Sequence, residues 1–236
     1  MKNYYEMLLK DVRFVEGLNS CMNCGICTAI CPAAETYKYD PRIICNLVQS
    51  KDNEIIEDLL KSETIWYCGQ CMSCRTRCPR GNTAGMLIQA LRSLSQDMGF
   101  FVESEKGRQQ LYLERTIGQW ILKYGYCLFL KGITTDLHAE QGPVWDWIQE
   151  NWDDLFERLG ANFQKDGPGI LRKIPEEAMD EIRAIFKETG GTERFEKIEE
   201  FSAQKAKELD LSLDGSLDND YIRHIYTETE KNHCGE

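Results

Sequence analysis

A long apolar run is what this 236-residue chain most plainly lacks. Its most apolar stretch, Ile117 to Ile133, is interrupted by Lys123 and Lys131. It falls short of the ~20 apolar residues that a spanning helix needs. The start, Met1-Lys2-Asn3-Tyr4-Tyr5-Glu6, carries no apolar core of signal-peptide length. A soluble, cytoplasmic chain without a transmembrane segment is therefore expected. Positive charge is also scarce: 28 Lys and Arg stand against 39 Asp and Glu, a net of −11. That balance excludes the basic footprint of a general nucleic-acid binder. There is no G-x-G-x-x-G and no Walker A sequence, so no nucleotide-binding signature is present. The plant-type C-x₄-C-x₂-C spacing of a [2Fe–2S] protein is missing, and so is any adjacent Cys-Cys pair.

Cysteine, by contrast, is abundant: eleven residues, an odd number. The chain is far longer than the ~80 residues of a typical disulfide-stapled scaffold. Metal or redox chemistry in a reducing compartment is the better reading. Eight of the eleven fall into two copies of one pattern, C-x₂-C-x₂-C-x₃-C-P. The first copy is Cys21, Cys24, Cys27, Cys31 and Pro32. The second, 47 positions later, is Cys68, Cys71, Cys74, Cys78 and Pro79. Four thiolates hold a [4Fe–4S] cube, and in bacterial-type runs the fourth cysteine serves the other cluster. The C-x₂-C-x₂-C loop curls three sulfurs onto one cube, while a cysteine about one helical turn further on points away. Two [4Fe–4S] clusters are expected, cluster I on Cys21, Cys24, Cys27 and Cys78, and cluster II on Cys68, Cys71, Cys74 and Cys31. Zinc, the alternative, needs only two C-x₂-C pairs, which leaves the third and fourth cysteines of each copy without a role.

Gly25 and Gly69 are expected to let backbone approach sulfur, and Ile26, Ile30 and Met72 to keep water from the cubes. Cys45 and Cys127 lie in apolar helical runs and are expected in the core. Cys234, in a polar tail, is expected to be a bystander. Arg75, Arg77 and Arg80 crowd the second motif and suggest a positive patch that meets an acidic partner or raises the potential of cluster II. His138, His224 and His233 are too scattered to form a site.

Helical signals dominate the rest. Asp40-Pro41 reads as an N-cap and first helical residue, with Ile43, Ile44, Leu47 and Val48 on one face. Ile55, Ile56, Leu59 and Leu60 make a second face. Met86, Leu87, Ala90, Leu91 and Leu94 make a third, capped by Asn82 or Thr83 and closed by Gly99. Residues 1–100 hold 11 basic and 11 acidic side chains, so the acidic excess lies in 101–236. There the patterns predict a helix over 111–133 broken at Gly125, and a Trp-rich stretch over 143–159. A turn follows at Gly167-Pro168-Gly169, then an acidic helix from Pro175 to Gly190-Gly191, and stretches over 193–208 and 219–230. The expected fold class is mainly α: an α-helical ferredoxin over 1–100 plus a helical C-terminal extension over 101–236, the latter a candidate docking arm.

Both motifs, the Asp40-Pro41-Arg42 helix start and the stretch Ile65-Trp66-Tyr67-Cys68 through Cys78-Pro79-Arg80-Gly81 resemble the C subunit of heterodisulfide reductase. The resemblance covers residues 18–95. It implies a non-catalytic relay between a flavin-containing A subunit and a cysteine-rich B subunit in a hetero-oligomer. The longer tail is similar to the version found in sulfur oxidisers, where such a complex oxidises sulfur carried on a lipoate-bearing protein. Two other readings stay open from the residues alone. One is the iron–sulfur subunit of a succinate or glycerol-3-phosphate dehydrogenase, although their [2Fe–2S] domain and Cys-Cys-Gly repeats are missing. The other is a zinc-binding structural adaptor.

Overall fold

The computed structural model describes residues 2–127 and 133–227. Among them there is no strand, only an isolated bridge between Ala161 and Ile170. The chain divides into two compact units, Met1–Arg108 and Gln109–Glu236. The first runs past the boundary expected at residue 100 because Phe101 and Val102 are buried beneath the short turn that follows Gly99.

In the first unit eight α-helices occur: α1 (Tyr4–Leu8), α2 (Val12–Gly17), α3 (Ile26–Ala29), α4 (Pro32–Thr36), α5 (Pro41–Gln49), α6 (Asn53–Lys61), α7 (Ala84–Met98) and α8 (Glu105–Arg108). Their starts are written in side chains. Asp11 accepts from the Arg13 N–H at 2.8 Å, Asp40 from Arg42 N–H at 2.9 Å, and Asp52 from Glu54 N–H at 2.9 Å. Each satisfies an N–H that the helix leaves without a partner. Pro41 and Pro32 both open helices, as fixed φ favours; Pro32 thus starts α4 rather than merely ending the cysteine turn.

Helix α7 is the axis of this unit, packed against α2, α5 and α6. It buries Leu87, Ile88, Ala90, Leu91 and Leu94, each large side chain contributing about 1.5–3 kcal/mol. Helix α5 answers with Ile44, Cys45 and Val48, while Ile43 turns outward at 49% exposure, contrary to the face expected for it. Thr83 begins α7 without a capping side-chain bond. Asn82 does not cap it either, but accepts from the Asn19 N–H at 2.7 Å.

The second unit has six α-helices among its described residues: α9 (Gln110–Leu113), α10 (Gln119–Tyr124), α11 (Pro143–Arg158), α12 (Glu176–Glu188), α13 (Gly191–Glu208) and α14 (Asp220–Thr227). A π-helical turn, Glu114–Gly118, joins α9 to α10. It sets Arg115 against Glu199 of α13 in a two-toothed pair at 2.6 and 2.7 Å. Gly118 lies so close to Phe195 that a Cβ there would stand 2.6 Å from the ring. The break expected at Gly125 is present: α10 ends at Tyr124, where Gly125 turns left-handed. Cys127 therefore lies past the helix and is exposed, which corrects its assignment to the core. Cys234 and His233 lie outside the described residues.

Two outcomes test this packing. Gly17 seats α2 on α7: a Cβ there would meet Leu87 N at 2.8 Å and Thr83 O at 3.1 Å, both backbone atoms. Gly17→Ala should cost about 2 kcal/mol and lower the melting temperature of this unit by roughly 10 °C, read by thermal unfolding. The second concerns Glu114, 4% exposed, whose pKa is raised chiefly by burial and further by the neighbouring Glu199. An unfolded Glu114 ionises near 4.5, while the folded one keeps its proton to higher pH. Stability of the second unit therefore falls as pH rises from 4.5. Glu114→Gln should gain stability over the parent, by a margin that widens between pH 5 and pH 8. A margin independent of pH would contradict it.

Candidate cluster-binding site

Both cysteine loops are built alike. In the first, Asn23 (φ 59°) and Gly25 (φ 78°) flank Cys24 in the left-handed region. In the second, Gln70 (φ 54°) and Met72 (φ 58°) flank Cys71 at the same places. Two left-handed residues on either side of the middle cysteine curl each loop back on itself. Asn tolerates this conformation and Gly adopts it freely; Gln70 and Met72 do so at a cost of order 1 kcal/mol each. Gly69, expected to be the permissive residue of the second loop, is not left-handed. The N–H donors differ from expectation as well. Asn23 N–H points at Cys21 Sγ and Gln70 N–H at Cys68 Sγ, each at 3.4 Å. Gly85 N–H, at the start of α7, points at Cys74 Sγ at 3.4 Å.

Helices hold the loops from behind. Gln49 of α5 accepts from Cys21 N–H at 2.6 Å and returns its amide to the Cys21 carbonyl at 3.4 Å. Asn46 donates to the Asn23 side chain at 2.9 Å. Arg92 of α7 donates to the Ile65 and Cys68 carbonyls, both at 2.7 Å. None of these polar anchors was singled out by the sequence pattern.

Two open cavities result. Cys21, Cys24, Cys27 and Cys78 line the first. Cys27, Cys31, Cys68, Cys71 and Cys74 line the second. Each cavity thus gathers three cysteines of one motif together with the last cysteine of the other, and Cys27 borders both. Ala84 borders both, so the N-terminal turn of α7 lies between them. Met22 and Ile26 wall the first and Met72 the second, while Ile30 borders neither. Buried Cys45 also reaches the first cavity. Burial pushes its thiol well above the ordinary range, so it stays a thiol beside the other four.

The residues suit an iron–sulfur cube. Burial raises the Cys27 and Cys74 thiols, whereas the Ser73 hydroxyl lowers exposed Cys71; iron would deprotonate all of them outright. The sulfurs are distributed around a cavity, as a cube with four corner irons requires. Tyr39, 4% exposed, borders the second cavity with a buried hydroxyl that lies against Cys68. A buried O–H of this kind is costly unless something accepts from it, and a cluster sulfur would. Gly85 leaves room that a Cβ would close, since it would stand 2.9 Å from the Met72 sulfur.

Comparison with known proteins agrees. The 4Fe–4S dicluster domain family matches residues 17–82. The chain is 30% identical to the C subunit of the ferredoxin:CoB-CoM heterodisulfide reductase of Methanosarcina acetivorans, over 98% of this chain and 84% of the relative. It is 26% identical to the iron-sulfur C subunit of the CoB–CoM heterodisulfide reductase of Methanopyrus kandleri, over 73% of this chain and 72% of that one. A second such protein of Methanosarcina acetivorans, from a ferredoxin/F(420)H(2)-dependent CoB-CoM heterodisulfide reductase, is 32% identical over 64% of this chain and 87% of its own length. No helix among the described residues is long and apolar enough to cross a membrane. The chain belongs to the family of heterodisulfide reductase C subunits, as an iron–sulfur electron-transfer subunit with two [4Fe–4S] clusters.

Proposed function

We propose that this chain relays electrons in the cytoplasm between a flavin-containing A subunit and a cysteine-rich B subunit of a heterodisulfide-reductase-like complex. Its clusters supply one-electron storage at two neighbouring points. Cys21, Cys24, Cys27 and Cys78 hold cluster I; Cys31, Cys68, Cys71 and Cys74 hold cluster II. The observation that carries the reading is the adjacency of the two cysteine cavities, which share Cys27 and Ala84. The cysteine-rich partner is taken to act on sulfur bound to a lipoate-carrying protein, with reduction of a heterodisulfide as the other outcome.

The surface near the cavities supports a docked partner. Arg75, Arg77 and Arg80 are exposed, and none makes an ion pair among the described residues. Arg80 borders the first cavity, beside Met22 at 60% and Ile26 at 40% exposure. Basic side chains around apolar ones suit an acidic redox partner, since complementary charge steers encounter. We assign the acidic second unit to docking within the same complex.

Three measurements test this. Native purification of the chain should bring a flavoprotein and a cysteine-rich protein with it, and activity of that complex on lipoate-bound sulfur or on a heterodisulfide separates the two substrates. A chain that purifies alone, carrying zinc and no acid-labile sulfide, would refute the relay. Cys27→Ser and Cys31→Ser, four residues apart, should each lose about half the iron, but from different clusters by electron paramagnetic resonance. Loss of the same cluster would refute the crossed ligand sets. Replacing Arg75, Arg77 and Arg80 together by alanine should weaken partner binding on the order of tenfold at low salt and flatten its salt dependence. Unchanged affinity would remove the patch from the interface.

A further inference from the structure

Arg92 is a cation in an unusual place. Its guanidinium is tied to the carbonyls of Ile65 and Cys68, both at 2.7 Å. It also lies over the Trp66 ring, 5.3 Å from the centroid. It makes no ion pair with a carboxylate among the described residues. Loss of water pushes its pKa down, and the groups that push it back up are Cys68 and the Tyr39 phenol. A partly buried charge without a counter-ion is unfavourable. Cys68, whose carbonyl it holds, is the first cysteine of the second motif, and its sulfur is anionic when it ligates iron.

The first cavity is furnished differently. Of the two arginines that line it, Arg42 is paired with Asp40 at 2.8 Å. Asp40 also accepts the Thr28 hydroxyl, so that corner adds little net charge. Arg80 is exposed and screened by water. Lys106 lies over the Tyr37 and Tyr67 rings, 5.4 and 5.9 Å from their centroids, and is held there by its backbone N–H on Glu63 at 3.2 Å. The second cavity also faces the Tyr39 hydroxyl, which lies against Cys68, and the Gly85 N–H on Cys74, at the positive end of the 15-residue helix α7.

We propose that Arg92 is the fixed counter-charge of cluster II and makes it the higher-potential member of the pair. The proposal rests on the crossed ligand sets above. Reduction of a [4Fe–4S] cluster adds one negative charge, which a fixed cation stabilises more than it stabilises the oxidised form. At an effective dielectric of about 20, a charge several ångströms away shifts such an equilibrium by at least roughly tenfold. Electrons entering the chain would therefore rest on cluster II, leaving cluster I as the lower-potential site.

The test uses the full reconstituted chain, with one cluster removed at a time through an exposed ligand: Cys24→Ala leaves cluster II and Cys71→Ala leaves cluster I. Redox titration followed by electron paramagnetic resonance should give the Cys24→Ala protein the higher midpoint. Adding Arg92→Gln to it should lower the ratio of reduced to oxidised cluster about tenfold at fixed ambient potential, or 59 mV for one electron. Arg92→Lys, which keeps the charge but not the two-carbonyl clamp, should restore most of that loss. Arg92→Gln beside Cys71→Ala should leave cluster I within about twofold. An unshifted cluster II, or equal shifts with glutamine and lysine, would overturn the assignment. Should Arg92→Gln fail to retain its cluster, the order of the two midpoints with Arg92 intact decides, and a cluster I midpoint at or above that of cluster II overturns it. Removal of the same cluster by Cys24→Ala and Cys71→Ala would instead refute the ligand sets, and this assignment with them.

Discussion

The close approach of α7 to the backbone of α2 sets the rest of the first unit. Gly17 has no side chain, so its carbonyl can accept the Thr83 N–H at 2.7 Å and α7 can begin directly beneath. That placement brings Ala84 to the border of both cysteine cavities and aims the Gly85 N–H at Cys74. Two turns later the same helix delivers Arg92 to the carbonyl of Cys68. Moving α7 by the width of one methyl group would disturb the boundary shared by both sites, since packed interiors transmit strain instead of absorbing it.

The cysteine repeat was legible because covalent chemistry leaves it little freedom: four cysteines and a proline recur at one offset. The helices were legible where a cap and an apolar stripe coincided, as at Asp40-Pro41 and over Leu87 to Leu94. Ile43 misled because the buried face of α5 runs through Ile44, Cys45 and Val48, which leaves Ile43 on the outer side. Cys127 misled because the left-handed backbone of Gly125 ends α10 before the apolar pattern ends. Gly69 misled for a different reason: the left-handed positions of the second loop fall on Gln70 and Met72, residues with no glycine-like signature. Polar anchors such as Gln49 and Arg92 could not be read at all. Their roles depend on which backbone carbonyl or N–H lies opposite, and only tertiary packing decides that.

Charge looks different once the clusters are counted. Residues 1–108 hold 13 basic and 13 acidic side chains. Two oxidised [4Fe–4S] clusters on four thiolates each add about −2 apiece, so this neutral unit becomes anionic at its centre. Six of its seven arginines then separate into three kinds. Arg13 and Arg42 are matched to Asp11 and Asp40 within their own helix caps. Arg75, Arg77 and Arg80 stand in water. Arg92 alone among these six is withdrawn from water and holds the carbonyl of a motif cysteine, Cys68, without a carboxylate of its own.

The acidic excess belongs to the second unit, and its presence does not by itself distinguish sulfur oxidisers from methanogens. The alignment with a Methanosarcina acetivorans relative spans 98% of the chain, so a methanogen protein carries a comparable extension. What the extension does possess is internal structure held by specific charge. Arg115 joins Glu199 and the carbonyls of Asp214 and Ser216, at 2.6 and 2.7 Å, and so ties the π-helical turn to α13 and to the loop before α14. Glu114 sits next to that pair as a buried carboxyl that gains by keeping its proton. A loose solvated tail would have no use for either. An acidic unit held together by such contacts presents a fixed surface, not a fluctuating one.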